Sequence, residues 1–351
     1  MVSSDRISPA QTEESSVRTR RQWRKRRGLQ VLAGVIGVIA VVVLVLSLVP
    51  APTVWGSPLL VDQSNGGGLQ SLSCASSSFC ATFDWVGRLF VFDGHGWHRV
   101  NVDLVPGLAE PTDISCGAEN FCMISNDAGD MFRYDGRSLT RTVLDARGGA
   151  IESVSCTSAT FCGAVGSQGA YIYNGKTWST FSLRGEQGTL DVISCVGRSY
   201  CAAGGASVAT FDGRFWNLQK LPLAGGDEIS QLSCATTASC VGISLNGDWV
   251  KSRFGSWRVM GAFGGGAQNQ GLTPKMLSCP ITSLCVAAAT SGVLYELEGA
   301  RWSRLGYLFR QSWARRLLEI IAPTPAVSLS CPTASVCVAV DGGGNSYFKR
   351  I

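Results

Sequence analysis

The chain has 351 residues, enough for one large all-β domain or for two domains of ordinary size. Its 42 glycines and a charged fraction of only 16% favour short strands joined by tight turns over a helical bundle. Residues 1–28 hold eight Lys/Arg and three Asp/Glu, which accounts for the whole net charge of +5, so the rest has no basic excess for nucleic acid.

The N-terminal region predicts a membrane anchor. Residues 1–28 form a basic, disordered cytoplasmic tail, and residues 29–49 form a transmembrane helix built on the 19-residue apolar run 31–49. Because the basic residues precede this run, the positive-inside rule keeps the N-terminus in the cytoplasm and everything after Pro50 outside it. A cleaved signal peptide and a twin-arginine signal in "TRRQWRK" remain alternatives, although a signal peptide usually has a shorter apolar core.

All fourteen cysteines lie in seven pairs with five residues between the members of each pair. Successive first members are 42, 40, 39, 39, 45 and 52 residues apart, and a period near 40 indicates a repeat architecture. The pairs are Cys74 and Cys80, Cys116 and Cys122, Cys156 and Cys162, Cys195 and Cys201, Cys234 and Cys240, Cys279 and Cys285, and Cys331 and Cys337.

Each cysteine pair predicts a disulfide within its own repeat. Two cysteines that flank a tight turn can face each other across a hairpin, and an extracytoplasmic location favours oxidation. Zinc binding is the alternative, but four thiolates would have to come from different repeats and the chain has only two histidines. We therefore predict seven disulfides, no metal site and no cofactor.

The repeat unit predicts four strands. An aliphatic residue and a serine precede the first cysteine in all seven repeats, and a glycine turn follows the second cysteine. A further glycine-containing turn, Asp/Asn–Gly in four repeats, leads to a tryptophan in five of the seven. Four strands in about 40 residues make one propeller blade. The seventh repeat ends before its tryptophan, and Trp55 supplies the missing strand, so residues 55–351 are predicted to form a closed seven-bladed β-propeller after a linker at residues 50–54.

This unit resembles the exported bacterial propeller proteins grouped as WD40/YVTN/BNR-like repeats, over essentially all of residues 55–351. The resemblance implies a seven-bladed fold and an extracytoplasmic location. In that group the Asp/Asn–Gly turn is structural, with the acidic or amide side chain bonded to the loop backbone and the tryptophan packed between blades. The resemblance does not imply one particular activity, because propellers serve both as enzymes and as scaffolds.

Two sets of residues look catalytic but are interpreted as structural. His95 and His98 lie in an outer turn of one repeat with no third metal ligand near them in the sequence, and are expected to be solvated. The serine before each first cysteine could be a nucleophile, yet its repetition in every blade indicates a small side chain on a crowded innermost strand.

The loops between the second and third strands form the face on which propellers usually bind. Polar and aromatic residues around an axis suit a peptide or a sugar. The candidate ligand face consists of Asp84, Trp85, Asn126, Asp127, Gln168, Asn246, Asp341 and Asn345.

One inserted segment predicts an amphipathic helix near residues 307–322. Its apolar side contains Phe309 and Trp313, its polar side contains Arg315 and Arg316, and Pro323 ends it. The helix either caps the propeller edge or lies against the membrane or a membrane partner, since it precedes the blade that the anchor joins.

These observations favour a non-catalytic, membrane-anchored, extracytoplasmic module that binds a protein or a glycan of the envelope. The alternative is an enzyme of the sialidase, glycosidase or lyase type that acts on envelope polysaccharide from the central funnel. No carboxylate pair, triad or phosphate loop is evident in the sequence, so no catalytic residue is assigned.

Overall fold

The chain forms two units, one of Met1–Ala51 with Arg310–Ile321 and one of Pro52–Phe309 with Ala322–Ile351. In the first unit the described residues are helical at 32–42 and 44, and no helix among the described residues is long and apolar enough to cross a bilayer. The transmembrane helix at 29–49 therefore stays a prediction. The computed structural model describes residues 32–42, 44, 55–62, 68–103, 109–183, 189–263, 273–309 and 325–350.

The second unit is an all-β propeller of seven antiparallel sheets with four strands each, which confirms the predicted fold. We number the strands along the chain. The first blade is β2 (Leu69–Ser76), β3 (Phe79–Asp84), β4 (Arg88–Phe92) and β5 (Trp97–Asp103). The second is β6 (Pro111–Ala118), β7 (Phe121–Asn126), β8 (Asp130–Tyr134) and β9 (Leu139–Val143). The third is β10 (Ile151–Ser158), β11 (Phe161–Gly166), β12 (Gly169–Tyr173) and β13 (Trp178–Phe181).

The remaining blades follow the same order from the innermost strand outward. The fourth blade is β14 (Leu190–Val196), β15 (Tyr200–Gly205), β16 (Val208–Phe211) and β17 (Trp216–Gln219), followed by a short 3-10 helix (Ala224–Gly226). The fifth is β18 (Ile229–Thr236), β19 (Ser239–Ser244), β20 (Asp248–Arg253) and β21 (Ser256–Ala262). The sixth is β22 (Pro274–Ile281), β23 (Leu284–Ala289), β24 (Val293–Glu298) and β25 (Arg301–Tyr307). The seventh is β26 (Ala326–Thr333), β27 (Val336–Asp341), β28 (Asn345–Arg350) and β1 (Leu59–Leu60).

The N-terminal strand completes the seventh blade, as the split repeat predicts. Leu59 and Leu60 of β1 pair with β28, and the Gly56 N–H donates to the Phe348 carbonyl oxygen at 3.0 Å. Trp55 is 4% exposed and packs in the apolar layer between the sixth and seventh blades. The first and last parts of the propeller are thereby joined in one sheet.

Seven apolar clusters form the core, one between each pair of neighbouring blades. The cluster between the seventh and first blades contains Val338 and Val340 from one and Phe90 and Phe92 from the other. The innermost strands touch in the same circular order, and β26 contacts β2. Because the last interface is built like the other six, the ring is closed and has no exposed sheet edge at the seam.

The structure confirms the seven disulfides. The two cysteines of a pair face each other across the hairpin of the first and second strands, and the Cys74 and Cys80 Cα atoms are 3.9 Å apart. The same bond forms in the other six blades, and no cysteine is free. Each disulfide therefore fixes the register of one hairpin within a single blade. The six further bonds join Cys116 to Cys122, Cys156 to Cys162, Cys195 to Cys201, Cys234 to Cys240, Cys279 to Cys285, and Cys331 to Cys337.

The serine before each first cysteine joins neighbouring blades. Its Oγ accepts a hydrogen bond from the backbone N–H of the first cysteine of the next blade, at 2.8–3.1 Å in all seven cases. The innermost strand of each blade has no partner strand on its inner side, so this bond satisfies an N–H that would otherwise lack one. The donor–acceptor pairs are Cys116–Ser73, Cys156–Ser115, Cys195–Ser155, Cys234–Ser194, Cys279–Ser233, Cys331–Ser278 and Cys74–Ser330.

Candidate functional site

The upper face, as we call it, carries the turns between the second and third strands and the connections between blades. At six of these seven turns the backbone donates a hydrogen bond to the connection that enters the innermost strand of the same blade, as when the Trp85 N–H donates to the Gly68 carbonyl oxygen at 3.2 Å. Glycines such as Gly87, Gly247 and Gly344 have φ values of 84°, 94° and 84°, the left-handed region that tight turns require. The face therefore consists of short turns held against the blades.

Three residues of the candidate ligand face are buried and structural. Asp84 is 0% exposed, Asn126 2% and Asp341 1%. In each, the Oδ1 atom accepts hydrogen bonds from two backbone N–H groups of the following turn. They shape the turns and are not free to contact a ligand.

Asp84 also forms part of the ring closure. The Arg88 guanidinium bonds to the Asp84 carboxylate and, through Nη2, to the Asp62 carboxylate at 2.9 Å. Asp62 follows the N-terminal strand, so this ion pair ties that segment to the first blade. The sequence suggests that Asp84 contacts a ligand, but in the structure its side chain has a structural role.

The other five members of the candidate ligand face are at least partly accessible. Trp85, Asp127 and Asn246 are exposed, whereas Gln168 and Asn345 are partly buried. Trp85 is 55% exposed, Val86 of the same turn is 54% exposed, and Leu245 of the equivalent turn in the fifth blade is 48% exposed. The upper face therefore presents apolar side chains from the first and fifth blades.

A group of carboxylates lies on the second, third and fourth blades, and only one of its members, Asp127, belongs to the predicted ligand face. Glu110 and Asp127 are exposed in the second blade, Glu152 is the second residue of β10, and Asp191 is the second residue of β14. Burial, and then the negative charges of Asp191 and Asp127, raise the pKa of Glu152. Burial also raises the pKa of Asp191, against a hydrogen bond from Thr189. Asp191 and Asp127 are therefore close enough to Glu152 to repel its ionised form.

The sequence does contain a signal for this group, since the residue four positions before the first cysteine changes from blade to blade, whereas the aliphatic residue and serine just before that cysteine repeat. The Nζ of Lys275, at that position in the sixth blade, donates to the Leu245 carbonyl oxygen at 3.0 Å. At this position the third and fourth blades thus carry carboxylates and the sixth blade carries a lysine. The residues at this position are Gln70, Thr112, Glu152, Asp191, Ser230, Lys275 and Val327.

Below this entrance Asp113 joins the first three blades. Its carboxylate accepts hydrogen bonds from the Ser71 and Ser153 hydroxyl groups, each at 2.9 Å, and from the Val154 N–H at 3.0 Å. Burial raises the pKa of Asp113, and these hydrogen bonds oppose the rise. All its contacts are within the propeller, so its role is to fix three innermost strands.

His95 lies in the outer turn of the first blade, and His98 lies on strand β5. The His98 Nε2 lies 2.9 Å from an Asp93 carboxylate oxygen, and the His95 side chain is 94% exposed. The Asp93 Oδ1 accepts from the His95 and Gly96 N–H groups, the turn structure that the family resemblance implies. Among the described residues no three His, Cys, Asp or Glu side chains could hold a metal ion together.

Residues 307–309, the start of the segment predicted to form a helix near 307–322, are not helical. Strand β25 continues to Tyr307, and Phe309 is only 7% exposed, with its ring centroid 5.2 Å from that of Tyr347. Phe309 therefore packs between the sixth and seventh blades and is not a surface residue. Trp313, Arg315 and Arg316 lie outside the described residues.

Solved structures share this fold at low sequence identity. The chain is similar to the WD40 repeats of RRP9 (10% identity, 86% of this chain and 99% of that chain covered, TM-score 0.67). It is also similar to the WD40 β-propeller domain of Doa1 (8%, 85% and 96%, TM-score 0.64). A third similar structure is YCF48 bound to D1 peptide (13%, 86% and 99%, TM-score 0.58). No protein-family profile matches this chain, and no curated protein is similar to it in sequence.

Proposed function

We propose that the protein is a binding scaffold whose upper face recognises a segment of a partner protein. The observation that carries this proposal is the combination, on one face, of exposed apolar side chains at Trp85, Val86 and Leu245 with the carboxylates around Glu152. Apolar anchors next to charged groups are what a protein partner needs for affinity and orientation.

The charge of the face suggests the chemistry of the partner. Carboxylates of three neighbouring blades lie on one side of the channel entrance, and the negative charges of Asp191 and Asp127 add to burial in raising the pKa of Glu152. A lysine or arginine side chain placed among them would remove this repulsion. The preferred partner segment is therefore a basic peptide with an apolar residue. One of the similar propellers, YCF48, is itself described as bound to a peptide.

The proposal includes a location in the membrane. Residues 29–49 span the bilayer, the N-terminus is cytoplasmic, and the propeller is extracytoplasmic. The 19-residue apolar run and the preceding basic residues support the orientation, and the pairing of all fourteen cysteines favours an oxidising compartment. Protease added outside sealed cells should digest the propeller, and a protected propeller would contradict this orientation.

A capture experiment tests the binding function. The oxidised full-length protein in detergent is immobilised and incubated with solubilised membranes, and retained proteins are identified by mass. The double variant Trp85→Ser with Leu245→Ser should lose the partner, while Phe215→Ser should retain it. Phe215 is a matched control because it is 69% exposed but lies in a turn between the third and fourth strands, on the opposite face. Equal capture by both variants would contradict the proposal.

A second candidate function is hydrolysis of an envelope polysaccharide. Burial raises the pKa of both Glu152 and the neighbouring Asp191, and a glycosidase uses two carboxyl groups near its scissile bond. Incubation with envelope polysaccharide should then release reducing sugar, and Glu152→Gln should abolish the release. If no sugar is released, the binding function stands alone.

A further inference from the structure

A cavity of about 660 Å³ lies on the fifth blade, on the lower face opposite the proposed binding surface. The lower face carries the turns between the first and second strands and between the third and fourth. Thr282 belongs to the β22–β23 turn of the sixth blade, and Phe254 to the β20–β21 turn. The lining side chains that carry the argument are Lys251, Arg253, Phe254, Arg258 and Met260.

Three cations of this cavity share one side of the blade. Along β20, Val250 packs toward the fourth blade and Trp249 toward the sixth. Side chains alternate along a strand, so Lys251 and Arg253 lie on the side of Trp249. Lys251 is also directly opposite Arg258 in the pairing of β20 with β21, which puts Arg258 on the same side.

A pair of like charges at directly opposite positions is unfavourable. In the other blades, the described residues at the positions equivalent to Lys251 on the third strand and Arg258 on the fourth strand are not both cations. No carboxylate lines the cavity among the described residues, so nothing in its wall neutralises the pair. The corresponding pairs are Val91–His98, Arg133–Thr140, Ile172–Ser179, Thr210–Asn217 and Glu296–Ser303.

An aromatic residue in an unfavourable position flanks these cations. Phe254 is 74% exposed and has a φ of 53°, although it is not glycine. A left-handed backbone conformation is strained at a bulky residue. Because the Phe254 ring is exposed, packing in the core does not offset this strain. Met260, 43% exposed, adds a flexible apolar side chain to the same wall.

We propose that this cavity binds an acidic peptide segment. Glutamate or aspartate carboxylates pair with Lys251 and Arg258, and an adjacent apolar side chain packs against Phe254 and Met260. The cavity is too large for a small inorganic anion alone, and its apolar wall gives a peptide contacts that such an anion does not use. The site is independent of the upper face and goes beyond the proposed function.

Binding of a defined peptide tests the proposal. The probe is a fluorescein-labelled peptide that alternates glutamate with leucine and phenylalanine, and its fluorescence anisotropy is followed with the full-length protein in detergent. The comparison probes replace glutamate by glutamine or by lysine, and a sulfated oligosaccharide is used as competitor. We expect saturable binding of the acidic peptide only, weakened by salt. Equal binding of the glutamine peptide, or tighter binding of the oligosaccharide, would overturn the assignment.

Two variants keep the test independent of folding. Lys251→Glu converts the like-charge pair with Arg258 into an opposite-charge pair, so it should raise the unfolding midpoint while weakening peptide binding at least about tenfold. Phe254→Gly relieves the positive φ and should weaken binding several-fold without lowering that midpoint. Arg214→Glu and Phe215→Ala, in the corresponding turn of the fourth blade, should leave binding unchanged. A stably folded Lys251→Glu protein that binds like the wild type would refute the proposal.

Discussion

The Ser330 Oγ accepts a hydrogen bond from the Cys74 N–H at 3.1 Å, although the two residues are 256 positions apart. This bond belongs to the interface between the last blade and the first. Six equivalent bonds join the other neighbouring blades, so the seam is bonded in the same way as every other interface.

Removing one of these serines should destabilise the ring. Ser115→Ala leaves the partly buried Cys156 N–H without this acceptor, and a hydrogen bond of this kind contributes about 0.5–1.5 kcal/mol to stability. Denaturant unfolding of the oxidised protein measures the change. Ser179→Ala, on an exposed outer strand, is the control and should change the free energy of unfolding by less than about 0.5 kcal/mol. Equal effects of the two variants would show that the serine has no bonding role.

The tryptophan of the closing segment should be essential for stability. Trp55 is 4% exposed, and replacing a buried tryptophan by alanine costs about 3–5 kcal/mol. Trp55→Ala should therefore lower the unfolding midpoint strongly, whereas Trp85→Ala, at a site 55% exposed, should lower it little. If the two variants unfold alike, the N-terminal segment does not close the ring.

Each disulfide should stabilise its own blade and no other. Closing a loop of this length contributes about 2 kcal/mol in the chain-entropy model. Replacing both Cys156 and Cys162 by alanine should lose about that much, and replacing Cys279 and Cys285 as well, three blades away, should give an additive loss. Denaturant unfolding provides both values. A strongly non-additive loss would indicate that the disulfides hold the ring together rather than single hairpins.

The Glu152 carboxyl should make stability depend on pH. Its pKa is raised in the folded protein, so the folded state holds the proton more tightly and ionisation favours unfolding. This contribution to stability is present at low pH and is lost as the pH rises through the raised pKa, above the ordinary value of 4.5. Glu152→Gln should therefore raise the unfolding midpoint at neutral pH and leave it unchanged in acid. Glu298→Gln, an exposed residue of the sixth blade, is the control. A gain of the same size in acid would exclude the electrostatic cause.

The repeat was sufficient to predict much of the fold. The spacing of the cysteines predicts the seven blades, and the unfinished seventh repeat predicts the role of Trp55, because both depend on residues that recur along the chain. The bond from Cys116 to the Ser73 hydroxyl could not be predicted in the same way. Its two partners belong to different repeats, and only the packing of blades brings them together.

The candidate site was predicted less well, because burial within a turn cannot be inferred from residue type. Asp84 and Asp127 occupy similar turns, yet the first is buried beneath its turn and the second is exposed. The Lys251–Arg258 pair likewise depends on the register of two strands, which the sequence does not define at single-residue precision. Phe309 was assigned to a helix surface because its spacing fits one, but it packs against Tyr347.

Site-specific photo-crosslinking in cells tests the central claim most directly. A photoreactive amino acid is placed at Trp85 or Leu245 on the upper face, and at Phe215 on the lower face. Irradiation should join one discrete partner protein to the two upper positions and not to Phe215, and mass spectrometry should locate the adduct in a basic segment of that partner. Absence of a protein adduct from both upper positions, or the same adduct from Phe215, would contradict the claim that the upper face binds a protein.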